Sequence, residues 1–290
     1  MWNMISSLDL VVQQLAPAFT HPSFVTHCQF LLAWVMCLGK HTLRRVAHNA
    51  HPDDLPDYSA RHGLDTYYNF FARAAWTPKG LAFQLINLVL AALVPLGLVT
   101  LLVDDTLAHK RGKSVWGMGW FRDAVASTRK RVATASGHNW VVVAVAFGLP
   151  GSGPILAVPL LARLHWPGKG QPSCVALARQ MITQILDWFP NRRFRLVGDG
   201  AYASKVLLAD LDGRVIFVGR MRGDAAVYDP KVPVAKPGQR GQKARKGPRL
   251  PAPRAAAAKA DRKRTTVGSW VWQAVEVCVY GQSRALQAFA

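Results

Sequence analysis

The chain has 290 residues, enough for one large or two ordinary domains, and half of them are apolar, so a sizeable core can be buried. Lysine and arginine total 36 against 16 acids, a formal net charge of +20. That excess costs self-repulsion unless a polyanion relieves it, which puts nucleic acid first among partners and an anionic membrane surface second, ahead of a merely basic soluble protein.

Four cysteines (Cys28, Cys37, Cys174, Cys278) form no Cys-x-x-Cys pair. This spacing argues against structural zinc and against a disulfide framework, and reduced thiols are the expectation. The N-terminal ten residues carry no basic segment followed by a cleavage pattern, so no secretory signal is expected.

In chain order, residues 1–95 read as helical. A short amphipathic piece spans Leu8 to Leu15. A strongly apolar helix runs from Phe24 to Leu38, with Gly39 as its stop. Asp65 to Trp76 forms another helix, whose aromatics at 67, 70, 71 and 76 fall at helical spacing and suit core packing. A helical DNA-binding domain using Arg44, Arg45, Arg61 and Arg73 is the functional alternative, although no recognition helix stands out. Leu81 to Val103 carries no charge and is long enough for a membrane span. Gln84, Asn87 and the Pro95-Leu96-Gly97 break favour a buried helix, a turn and a strand, with no membrane partner.

From Leu98 the pattern changes to strands. The first, Leu98 to Val103, ends in Asp104-Asp105-Thr106. A basic loop or short helix covers Lys110 to Arg131. Trp140 to Phe147 and Ile155 to Leu161 are strands around the turn Gly148 to Pro154, which lacks the Gly-Lys-Ser/Thr ending and the strand-to-helix setting of a nucleotide loop. Ser173 caps an amphipathic helix that ends near Trp188 and Pro190. Arg193 to Val197 is the fourth strand and runs into Gly198-Asp199-Gly200-Ala201-Tyr202. A short helix, Ser204 to Leu211, precedes the fifth strand, Val215 to Val218. The order β-β-β-α-β-α-β implies an α/β fold with a mixed sheet covered by helices.

Residues 222–266 form a basic insertion. Thirteen cations stand against three acids between 222 and 264, and its prolines and glycines forbid a regular helix, so a flexible cationic arm is expected. A solvated linker without a partner is the alternative. Residues 267–290 return to a strand pattern from Ser269 to Tyr280.

Asp105 follows the first strand and Asp199 the fourth. The element order makes these strands parallel neighbours, so the two carboxylates converge. Close aspartates repel unless a divalent cation lies between them, and hard oxygen ligands favour Mg²⁺ or Mn²⁺. Such ions clamp the attacking and leaving oxygens of a phosphodiester, and Lys110, Arg111 and Lys113 could hold the polyanion. The bland reading is that Asp104 or Asp105 caps the next segment while Asp199 supports a turn.

Val103-Asp104-Asp105-Thr106 with Lys110-Arg111-Gly112-Lys113, followed by Val197-Gly198-Asp199-Gly200-Ala201-Tyr202, resembles DDE-type insertion-sequence transposases, the DDE superfamily endonuclease group with an RNase H-like core. The resemblance spans roughly residues 20–290. It implies Asp105 and Asp199 as the first two catalytic, metal-binding acids, with Asp104 in support. It also implies metal-dependent cleavage and strand transfer at element ends, DNA as terminal repeats and target, a homodimer in a synaptic complex, and a bacterial cytoplasmic, nucleoid-associated location. Within that frame residues 1–95 are a DNA-binding domain, 96–221 the RNase H-like core, 222–266 the insertion, and 267–290 strands returning to an incomplete core. Arg240, Lys243, Arg245 and Lys246 join the DNA-binding cations.

The family's third acid is a glutamate on a late helix. The only glutamate here is Glu276, within an apparent strand. The expectation is therefore a truncated chain lacking the Glu-bearing helix. Its alternative function is DNA binding without catalysis.

Overall fold

A computed structural model describes residues 9–49, 64–112, 114–128, 130–148, 153–233, 244, 246–256, 272–279 and 282–289, the last two stretches as backbone only. The chain divides into two compact units, Met1–Leu96 and Gly97–Ala290.

The first unit is helical: α1 (His21–Met36), α2 (Leu43–His48), α3 (Leu64–Arg73) and α4 (Pro78–Leu93). Thr42 and Thr77 cap α2 and α4 by accepting the backbone N–H groups of Arg45 and Gly80. The aromatics of α3 divide by face: Tyr67 and Phe70 are buried, whereas Tyr68 and Phe71 are half exposed. Phe70 stacks on Trp76 and on Phe19, and Trp76 Nε1 donates to the Phe70 carbonyl at 2.9 Å. Core packing thus accounts for much of that stripe. α4 stops at Leu93, and a turn with Gly97 in the left-handed region (φ +81°) starts the next strand at Leu98. No helix among the described residues is long and apolar enough to cross a membrane.

The second unit is built on a six-stranded mixed sheet. Its strands are β1 (Leu98–His109), β2 (Gly119–Arg122), β3 (Thr134–Gly148), β4 (Ile155–His165), β5 (Arg193–Gly198) and β6 (Val215–Gly219). The path is β2-β3-β1-β5-β6, with β4 also pairing β3. β1, β3 and β4 are antiparallel, whereas β1, β5 and β6 run parallel. This is the RNase H-like arrangement, with one addition. The stretch read as a basic loop or short helix between Lys110 and Arg131 contains the edge strand β2, which continues the β3 edge that β4 leaves.

α5 (Cys174–Trp188) covers one face. Ser173 caps it by accepting the Ala176 N–H, and Leu177, Ala178, Met181, Ile182, Ile185 and Leu186 are buried. The residues they meet alternate along the strands: Val99, Leu101 and Val103 of β1, Val141, Val143 and Val145 of β3, and Phe194 and Leu196 of β5 are all buried. Arg163 of β4 donates to Gln180 and Gln184 of α5, and Arg179 reaches the Val206 carbonyl in α6 (Lys205–Leu208). β7 (Trp272–Val279) and β8 (Gln282–Phe289) pair only with each other, as an antiparallel two-stranded sheet.

Candidate active site

The first strand is longer than its apolar run. It continues six residues past Val103, so Asp104 and Asp105 lie inside β1 and not after it. The cause is unequal pairing. β3 follows β1 as far as His109 opposite Gly137, whereas β5 leaves it at Val103 opposite Gly198. Gly137 makes the long pairing possible, because a Cβ there would collide with the Ala108 carbonyl oxygen. Beyond Val103 that edge of β1 therefore pairs with no strand among the described residues, and the place where the two strands part, at the carboxyl end of β5, is the candidate crevice. Open α/β sheets hold ligands at such strand ends.

Strand alternation separates the two acids. Asp105 shares the face of Val99, Leu101 and Val103, towards α5, whereas Asp104 is on the opposite face and accepts the Asp105 N–H at 2.8 Å. Both Asp105 oxygens are held. Tyr202 Oη donates to Oδ1 at 3.3 Å, and Asn139 Nδ2 donates to Oδ2 at 3.1 Å. Asp199 directly follows β5 and folds a turn, its Oδ1 accepting the Ala201 and Tyr202 N–H groups at 2.9 and 3.4 Å. Among the described residues its Oδ2 has no partner. Tyr202 thus links the two acids, its backbone bound by Asp199 and its hydroxyl bound to Asp105. Gly198 permits this, since a Cβ would stand 3.0 Å from Val103 Cγ1 and 3.1 Å from Tyr202 Cβ.

Tyr202 is 1 % exposed. Burial first, and then the Asp105 charge, raise the pKa of its phenol, which keeps it a hydrogen-bond donor. Asn139, 6 % exposed, uses both amide hydrogens: the second goes to Cys174 Sγ at 3.3 Å. The thiol is pushed up to about 11, chiefly by burial and then by Asp105. It is therefore neutral, an acceptor for the amide and not a nucleophile.

The donor set fits a divalent cation such as Mg²⁺. Two exposed carboxylates, one within β1 and one directly after its neighbour β5, supply hard oxygens, and among the described residues neither is ion-paired with a basic side chain. Among the described residues, no group of three His, Cys, Asp or Glu gathers that could hold a metal. Glu276 is in β7, opposite Ala285 of β8, away from the six-stranded sheet's ladders.

The cations named from the sequence fall in several places. Lys110 and Arg111 are exposed just after β1, and Lys110 is tied to β3 through Ser136. Lys246 lies over the Tyr228 ring, 4.8 Å from its centre, beside an isolated bridge between Tyr228 and Arg249. Lys113, Arg240, Lys243 and Arg245 lie outside the described residues, as do Arg61 and much of the basic insertion.

Sequence reasoning passed over Asn139 and gave Tyr202 no role. Asn139 did carry a signal. It occupies the inward-facing position two residues before Val141, Val143 and Val145, where an alternating core strand should be apolar.

Residues 14–283 match the profile of the DDE superfamily endonucleases. No curated protein and no solved structure matches the chain.

Proposed function

The chain belongs to the DDE superfamily endonuclease family, and on that premise we propose that it is a transposase whose nuclease centre is the Asp105–Asp199 crevice. One observation carries the reading. Asp105, two residues past the point where β5 leaves β1, and Asp199, directly after β5, are joined through Tyr202, and both oxygens of Asp105 are hydrogen-bonded. Asp105 and Asp199 would hold Mg²⁺ or Mn²⁺, which would supply charge neutralisation at phosphodiester oxygens and a water of lowered pKa. Asn139 and Tyr202 orient the Asp105 carboxylate before substrate arrives, so little reorganisation is left to the reaction. The Asp199 turn fixes one carboxylate oxygen and leaves the other for a ligand.

The substrate in this proposal is the DNA at an insertion-sequence end, cut at one strand and then joined to target DNA through the freed 3′-hydroxyl. Two copies would act in a synaptic complex, in the cytoplasm of a bacterium and close to its nucleoid. Lys110, Arg111, Lys113, Lys246 and the insertion cations Arg240, Lys243 and Arg245 would bind phosphates. The helical first unit would add DNA contacts of its own. In this reading 1–95, 96–221, 222–266 and 267–290 keep the roles of DNA-binding domain, nuclease core, basic insertion and terminal strands.

A second reading, DNA binding without cleavage, draws on the acid count: among the described residues no group of three His, Cys, Asp or Glu gathers to hold a metal. Nicking of a terminal-repeat duplex in Mg²⁺ separates the two readings. Wild type should nick, while Asp105→Asn and Asp199→Asn should bind the duplex and leave it intact. Unchanged nicking by either variant sinks the site. Salt-sensitive binding with no metal-dependent nicking by wild type selects the second reading.

A further inference from the structure

The sheet face turned away from α5 carries a feature that the nuclease centre does not use. Edge strand β2 and the turn before it read Trp116-Gly117-Met118-Gly119-Trp120, and both tryptophans are 73 % exposed. Exposed tryptophan is costly in water, and a disordered loop would not hold one there. This loop is built. Gly117 (φ +71°) and Gly119 press it against the end of β4 and the segment that follows. A Cβ at 117 would come 2.7 Å from Leu164 Cδ2, and one at 119 would come 2.5 Å from Pro167 Cδ. His138 Nε2 binds the Trp116 carbonyl at 2.8 Å, and Trp166 lies against the Trp116 ring, centres 5.0 Å apart.

Register places cations beside these rings. Trp120 lies opposite Ser136 and Arg122 opposite Thr134, so Trp120 and Arg122 share one face of β2. On the other side of β3, Lys110 donates its backbone N–H to the Ser136 carbonyl. Lys110, Ser136 and Trp120 thus form one row across three chain segments, with exposed Arg111 next in sequence. Among the described residues, none of Lys110, Arg111 and Arg122 is paired with an acid. On this face the small side chains Thr106 and Ala108 lie between the row and Asp104, whereas Asp105 is on the α5 side of the same strand. Four residues of β1, Thr106 to His109, separate Asp105 from Lys110, about 17 Å at the strand rise, or about five base steps of a DNA strand.

We propose that the Trp116–Trp120 turn is a stacking platform for unpaired nucleotides of the DNA substrate, with Lys110, Arg111 and Arg122 on its phosphates. Charge complementarity selects the occupant: exposed aromatic faces between unpaired cations suit bases and phosphates together. Unpaired bases are specified because a duplex keeps its base faces stacked on one another. The proposal rests on the nuclease reading for its substrate.

The test compares full-length wild type with Trp116→Ala/Trp120→Ala and Trp116→Phe/Trp120→Phe, by fluorescence anisotropy. The probes are a blunt duplex and the same duplex with a six-nucleotide single-stranded overhang. The alanine pair should lose roughly tenfold or more in affinity for the overhang probe, with blunt-duplex affinity unchanged and the salt slope unaltered. The phenylalanine pair should retain most of the overhang affinity. Arg122→Ala should instead reduce the salt slope by about one.

Equal losses on both probes, or none, would overturn the platform. So would a change in sedimentation mass of the alanine pair without a change in DNA affinity, which would mark the face as a contact between copies. Failure of wild type to bind either probe would remove the DNA reading itself. Asp105-dependent nicking with indifferent tryptophans would leave that reading standing and remove only the platform.

Discussion

The carboxylate of Asp105 is held by neighbours that differ in chemistry. Tyr202 gives one hydroxyl hydrogen and Asn139 one amide hydrogen, and the remaining amide hydrogen is fixed by Cys174. The carboxylate, which only accepts, sets which way the amide points, since a flipped Asn139 would turn its oxygen towards Asp105, and the thiol takes the other amide hydrogen. Groups that orient a metal ligand at second hand typically matter by 10–100-fold in metal affinity or activity. Asn139→Ala is expected to raise the Mg²⁺ concentration needed for half-maximal nicking by about 10–100-fold, with DNA affinity unchanged. A metal titration of nicking reads this, and a variant that merely unfolds would lose DNA binding as well. An unshifted Mg²⁺ midpoint would mean that Tyr202 alone positions Asp105.

At the scale of elements, the site depends on how the C-terminal end of α5 is fastened next to β5 and β6. Arg214, just before β6, donates to both oxygens of Asp212 and also to the Leu186 carbonyl in the last turn of α5 and the Pro190 carbonyl just after it. It thereby satisfies carbonyls that a helix end leaves open. Arg214 holds Asp212 down, from the ordinary 3.8 to about 2, mainly through the side-chain hydrogen bond. A carboxyl whose pKa is lower in the folded state stabilises the fold fully above its unfolded value, and that contribution fades as pH falls towards the folded value. Thermal melts of wild type should therefore lose stability between about pH 4 and pH 2. Asp212→Asn should start less stable at neutral pH and lose less over that window. Identical pH profiles would show that the clamp contributes nothing measurable.

The same scale explains which parts of the fold were legible. The helix from Ser173, its stop near Pro190 and the parallel pairing of the first and fourth strands of the reading follow from local signals: a cap, a proline and alternating apolar residues. The length of β1 does not. Its second half, from Asp104 to His109, is polar and exposed on much of its surface, and it is a strand only because β3 pairs with it. β2 is only four residues long, Gly-Trp-Phe-Arg, too short for an alternating pattern to show.

Across the whole molecule, charge is the dominant quantity. A net charge of +20 in 290 residues makes any DNA affinity mainly a counterion-release effect. If six to ten phosphates are contacted, binding to a duplex should weaken by about 10³–10⁵-fold between roughly 50 and 200 mM salt. Log-log plots of affinity against salt check this, and a flat plot would mean that the charge excess answers to no polyanion. In the proposed function, Mg²⁺-dependent nicking reads the acids and salt-dependent binding reads the cations, so the two measurements separate the two sets.

The sequence by itself determined the class of fold, the likeness of its paired aspartate motifs to the DDE family, and the charge that calls for DNA. These are properties of composition, periodicity and short motifs, which survive without knowledge of contacts. Only the tertiary structure decided which aspartate faces the crevice, because that depends on strand parity and on where β5 parts from β1. It alone brought Asn139, Tyr202 and Cys174 to Asp105 from other elements, and it alone set the exposed Trp120 in a row with Ser136 and Lys110. Residues far apart in the chain meet only when pairing and packing bring them together, and no local pattern encodes that meeting.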